Sequence, residues 1–286
     1  MRIILKCLPG IVFLVSLFIG CSSPTEGVVE DPLFIAADGI NGGKLFDMFW
    51  YEETGFDQNY PSITTFDLYP GFFRCAHCHG LDLMGQQGGN ALYYRSNMSP
   101  NIANVNLSAT AKASSSTNLF QAIKTGSNPA MRRAIDADLS TYDTSLNYML
   151  GDQMPNYGAI FTDAQIWNLV KFLKAEAVDV KQLYDFTVTG TYPDAIVTFS
   201  NIGKDGNAAN GNAIYTNFCG TTDCHGPDGT QSGGRFGSIG MHFRTMPYDD
   251  GHICKFGLVG VMGEFGLTTQ EIKDLFKALN DPAMYP

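Results

Sequence analysis

The chain has 286 residues, a length that usually divides into about two domains. Hydrophobic residues make up 44% and charged residues 16%, a globular composition that excludes a disordered or collagen-like chain. The formal charge of −10 repels phosphate backbones and argues against nucleic acid as a partner. Residues 1–20 open the chain with Arg2 and Lys6, followed by an apolar run from Ile11 to Ile19. The run is too short to span a bilayer, and this order of charge and apolar core is that of a secretory signal peptide.

The signal ends in Phe18-Ile19-Gly20-Cys21, which resembles a bacterial lipobox, with Phe18 where leucine is usual. The resemblance implies a lipid on Cys21 and a polar tether over 21–39, holding a soluble protein on a membrane without a spanning helix. Loss of residues 1–20 removes two bases and no acid, leaving −12. The expected location is the cell envelope, as a periplasmic or outer-surface lipoprotein.

Seven cysteines stand at 7, 21, 75, 78, 219, 224 and 254. An exported chain would normally pair those left in the mature protein. Two pairs instead precede a histidine: Cys75-Ala-His-Cys78-His79 and Cys219-Gly-Thr-Thr-Asp-Cys224-His225. Two thiols at this spacing add to the two vinyl groups of one haem, and the histidine after the second cysteine becomes the proximal iron ligand. For the first motif, zinc would want four clustered ligands and a dithiol redox pair would not call for the histidine. For the second, with its looser spacing, a local disulfide is the alternative. Cys254 is left over, with burial as a small hydrophobe the simplest reading.

The chain repeats itself around these motifs. Gly42 and Phe46 precede the first as Gly211 and Tyr215 precede the second. Both motifs continue as Cys-His-Gly and a glycine-rich stretch, and Met154-Pro-Asn-Tyr157-Gly158 matches Met262-Gly-Glu-Phe265-Gly266. Each methionine segment leads into an amphipathic helix that opens with a capping box, Thr162 to Gln165 and Thr268 to Glu271. Ile166, Leu169, Val170 and Leu173 form one apolar stripe, and Ile272, Leu275, Phe276 and Leu279 the other. Residues 179–204 are rich in β-branched residues and read as a linker able to hold a small hairpin. Residues 51–72 and 87–116 read as loop-rich insertions.

Both halves resemble class I c-type cytochrome domains, over 40–178 and 205–286. The resemblance implies a mainly α fold of two tandem helical domains with long loops, and two covalently attached haem c groups. It implies attachment through Cys75 and Cys78 with His79 on the iron, and through Cys219 and Cys224 with His225. It also implies a methionine thioether as sixth ligand, which favours Fe(II). Met154 matches that position in the first half, ahead of Met84, Met98, Met131 and Met149. In the second half Met262 matches it, with Met246, His242, His252 and Cys254 as alternatives. His77 is expected to be exposed. Pro100 resembles the family's proline whose carbonyl accepts the proximal imidazole's N–H.

These features imply single-electron transfer between redox proteins, with a basic partner favoured by the chain's acidity. Two other readings stand beside it: a di-haem enzyme such as a peroxidase or a thiosulfate-type dehydrogenase, and a haem subunit of a larger oxidoreductase. An enzyme would need an open iron site with an acid–base group beside it.

Overall fold

The computed structural model describes residues 30–68, 70–89, 105–126, 154–191, 194–231 and 237–286. The signal peptide, Cys21, Met98, Pro100, Met131 and Met149 lie outside the described residues. The fold is mainly helical. In chain order the helices are α1 (Pro32–Ala36), α2 (Gly39–Met48), α3 (Ile63–Leu68), α4 (Pro70–Phe73), α5 (Cys75–His79), α6 (Leu107–Ala113) and α7 (Ser116–Lys124). They continue with α8 (Asp163–Lys171), α9 (Ala208–Ile214), α10 (Ile239–Thr245), α11 (Pro247–Phe256) and α12 (Thr269–Leu279). An antiparallel hairpin, β1 (Asp185–Thr189) and β2 (Ile196–Ser200), pairs Asp185 with Ser200 in the segment expected to link the halves. Among the described residues, no helix is long and apolar enough to cross a membrane.

Each half is built on a crossing of its first long helix with its last, α2 on α8 and α9 on α12. Glycine makes the close approach possible in both. A Cβ on Gly42 would stand 2.0 Å from the carbonyl oxygen of Asn168, and one on Gly211 would stand 1.9 Å from that of Asp274. The first helices are capped alike. The Asp38 carboxylate accepts the amides of Ile40 and Asn41, while its own amide donates to the Asn168 side chain at 2.9 Å. The Asn207 side chain accepts the amides of Ala209 and Asn210, while its own amide donates to Asp274 at 2.7 Å. Asn168 and Asp274 therefore each tie an N-cap to the facing helix, satisfying backbone donors that would otherwise lack partners. Both capping boxes form, and both apolar stripes are buried.

The halves interlock. One apolar cluster gathers Leu45, Phe46, Phe49, Phe66, Phe73, Leu169 and Phe172, and takes in Phe256 from α11. The other gathers Tyr215, Cys219, Phe243, Leu275, Phe276 and Leu279, and takes in Met84 from the first half. The seat of Phe256 is Gly43, where a Cβ would stand 2.3 Å from the phenyl ring. Val180, Leu183 and Tyr184, in the segment expected as linker, are buried in the second cluster. The stretches 51–72 and 87–116 hold more helix than expected. Helix α3 forms because Phe66 packs edge-on against Phe49 at 5.1 Å, with Tyr60 stacked on it at 5.6 Å. Helix α6 and the start of α7 form behind the side-chain caps Asn106 and Ser115.

Candidate functional site

Helix α5 is little more than one turn, and it carries Cys75, Cys78 and His79 on neighbouring positions of one face. Gly80, at φ 76°, ends it in a conformation that favours glycine, and its amide donates to the Ala76 carbonyl. Cys75 is buried, while Cys78 and His79 are half-buried. Burial pushes the Cys75 thiol up to about 12. Directly before the motif, Arg74 pairs with the buried Asp47 of α2. Burial raises the Asp47 pKa, and Arg74 and the Val259 amide oppose the rise. His77 is half-buried rather than exposed, because the Arg74 turn packs beside it; burial and the Arg74 charge lower its pKa to about 4.

Met154 packs against the same cluster that holds Cys75 and Cys78. The loop that carries it is anchored inside its own half. Tyr157 donates its hydroxyl to the Phe73 carbonyl and stacks on Phe161 at 5.3 Å. Gly158 lies against the Lys124 carbonyl, where a Cβ would come within 2.2 Å.

In the second half, α9 runs on through a π-helical turn, Tyr215–Cys219. The chain then folds back so that the His225 amide donates to the Cys219 carbonyl at 3.0 Å, returning the backbone of His225 to that of Cys219 despite the longer spacing. Gly226 follows at φ 73°, as Gly80 does in the first motif. Cys219 is buried, its thiol pushed up to about 11 by burial, and Cys224 is exposed. Burial lowers the His225 pKa, opposed by the charge of Asp250. The Nδ1 atom of His225 is buried with no hydrogen-bond partner among the described residues.

The other candidates are spread around this site. Cys254 is buried in the cluster that holds Cys219. Met84, a first-half candidate, is buried in that cluster too. His242 Nδ1 lies 2.9 Å from the Asp250 carboxylate. His252 stands among Phe46, Phe172 and Phe256, with its ring 4.7 Å from that of Phe256. Met246 joins α10 to α11. Met262 closes a tight turn, with Leu258 and Met262 exchanging backbone hydrogen bonds at 3.0 and 2.7 Å.

Sequence reasoning missed the acidic cluster between the two motifs. Asp82, just past the first motif, is buried and acts electrostatically on Asp249 of α11. Burial, then the charges of Asp250 and Asp82, push Asp249 up to about 8. Burial and the same three carboxylates raise Tyr184 well above the usual phenol range. Asp82 and Asp249 stand in different halves of the chain, so only the fold brings them together.

The residues present fit a covalently attached haem. Each motif offers two thiols and one imidazole, and none of the five described cysteines is in a disulfide. Burial that disfavours a thiolate does not oppose a neutral thioether. The lowered pKa of His225 keeps its imidazole neutral, the form that ligates iron. Among the described residues no three His, Cys, Asp or Glu side chains gather as the zinc reading would need. These features are compatible with a c-type haem site. Residues 71–176, which hold Cys75, Cys78, His79, Met154 and α8, match the cytochrome c family model, supporting a c-type cytochrome with covalently bound haem and a haem-based electron-transfer role. No match was found among curated proteins or among solved structures.

Proposed function

We propose that the chain is a di-haem c-type cytochrome that passes single electrons between redox proteins in the cell envelope, tethered to a membrane by a lipid on Cys21. One observation carries the second haem: Cys219, Cys224 and His225 stand in the same frame of crossed helices as the first motif. Gly211 and Asp274 repeat the contact of Gly42 and Asn168. Cys75 and Cys78 would hold one haem with His79 and Met154 on its iron, and Cys219 and Cys224 the other with His225 and Met262. The haem supplies a one-electron Fe(III)/Fe(II) couple. The protein's part is to bury Cys75 and Cys219, hold the His225 imidazole neutral and present a thioether, so that electron exchange needs no ligand change.

A second reading, a di-haem enzyme, draws on the His242–Asp250 pair, an acid–base couple that acts electrostatically on His225. Intact mass and haem quantification of the mature protein test the count: two haems are expected, and one after His225→Ala. A single haem in the parent protein, with Cys219 and Cys224 oxidised to a disulfide, overturns the second assignment. Carbon monoxide binding separates the two readings. Six-coordinate irons bind it poorly, whereas ready binding with peroxide or thiosulfate turnover at about 1–10³ per second favours the enzyme.

A further inference from the structure

The two methionine loops are anchored in different ways. In the first half the anchor is internal: Tyr157 donates to Phe73, two residues before Cys75. Its counterpart in the second half is Phe265, which has no hydroxyl and touches Phe218 at 5.8 Å between ring centres. Gly158 lies against Lys124, but its counterpart Gly266 has no neighbouring atom within 4 Å of where a Cβ would stand. The second loop has lost both internal anchors.

It is also held from the other half. Glu53 accepts the Gly260 amide at 2.8 Å. The Tyr51 ring lies over Gly260, where a Cβ would come within 2.6 Å of it. The Val259 backbone amide acts on the Asp47 carboxylate, lowering its pKa, and Lys44 pairs with Glu264 at 2.8 Å. These partners lie on α2 and the turn after it. Asp47, Tyr51 and Glu53 meet the tip of the turn whose ends are Leu258 and Met262, and Lys44 meets the stretch just after it. A five-residue turn closed by its own backbone bonds moves as a unit, so fixing Val259 and Gly260 fixes the backbone of Met262.

We propose that Lys44, Asp47, Tyr51 and Glu53 are positioning residues for Met262, so that the first half sets the axial ligation of the haem in the second. This inference rests on the reading of Met262 as a ligand. The first half holds its own methionine loop and contributes to holding its neighbour's.

Glu53 is exposed, so its substitution tests the inference without threatening the core. The full-length haem-loaded protein is compared with Glu53→Ala, Glu53→Gln and Met262→Ala by optical spectra, by potentiometric titration of both haems and by amide hydrogen exchange. In Glu53→Ala, exchange at 258–262 should quicken about tenfold or more, because a hydrogen bond to a charged acceptor is lost. The far-red sulfur-to-iron absorption should fall in part, and the potential of one haem should drop while the other holds. Glu53→Gln, whose amide oxygen still accepts, should recover most of the parent behaviour. Faster exchange with both spectra unchanged, or no change in either, overturns the inference. Met262→Ala separates the two failures. If it abolishes one haem's sulfur band while Glu53→Ala does nothing, only the positioning role falls. If it leaves spectra and potentials unchanged, the ligand assignment falls, and the inference with it.

Discussion

Gly211 and Asp274 meet backbone to backbone, with space for no side chain: a Cβ on the glycine would stand 1.9 Å from the Asp274 carbonyl oxygen. The obstacle is main chain within a capped helix, so it cannot swing aside. Gly211→Ala is expected to cost about 3 kcal/mol, the upper end for overpacking a tight core. Gly263→Ala, with no neighbouring atom within 4 Å, should leave stability nearly unchanged. Thermal unfolding of the two variants beside the parent protein checks the contrast.

The Arg74–Asp47 pair is buried at the foot of the first motif, with Asp47 1% exposed. Arg74→Ala would leave that carboxylate without its counter-charge and is expected to cost about 3–5 kcal/mol. Replacing both members, Arg74→Met with Asp47→Asn, removes the stranded charge and keeps a side chain of the same shape at position 47. The double variant should recover most of the loss, as denaturant unfolding would show.

His252 gives stability a dependence on acid. Its pKa is lowered to about 3, first by burial and then by the Arg74 charge, while a hydrogen bond to the Gly43 backbone opposes the fall. At neutral pH folded and unfolded chains both hold the imidazole neutral, and the group contributes no slope. Below the ordinary histidine value of 6.5 the unfolded chain takes up a proton that the folded chain refuses. Stability should therefore fall by about 1.4 kcal/mol per pH unit from this group alone, down to about pH 3. His252→Leu should remove that component, seen as a shallower loss of stability between about pH 7 and about pH 4.

The charge of −12 expected for the chain after loss of residues 1–20 predicts how partners approach. Association with a basic redox protein should slow by about tenfold or more between low and physiological salt, since screening shortens the reach of steering charges. Stopped-flow mixing across ionic strengths measures this. A rate independent of salt would remove the basic partner from the proposal.

What could be read from the sequence was local. The two cysteine–histidine motifs, the capping boxes at Thr162 and Thr268 and the apolar stripes of α8 and α12 each lie within a dozen residues, and spacing alone exposes them. The glycine pairing of Gly42 with Gly211 was visible as a repeat, although its reason, contact with Asn168 and Asp274, needed the fold. The rest depends on distant partners. No pattern around Glu53 announces Gly260, and nothing near Asp82 announces Asp249. Helix α3 was missed because its stability comes from Phe66 packing edge-on against Phe49, with Tyr60 stacked on it, rather than from a helical period. The absence of the Tyr157 hydroxyl at Phe265 could have been noticed in the repeat, as a matching position without the anchor.

The seat of Phe256 on Gly43 bears on how the chain is made. The core of the first half borrows a phenyl ring from a helix that emerges from the ribosome, and crosses any export channel, long after α2 does. Until that ring arrives the groove along α2 stays open to water, however complete the first half is in sequence. Closure of the earlier-made part must wait for the later one, so a chain stalled before residue 256 would present an unfilled apolar groove to whatever chaperone attends it.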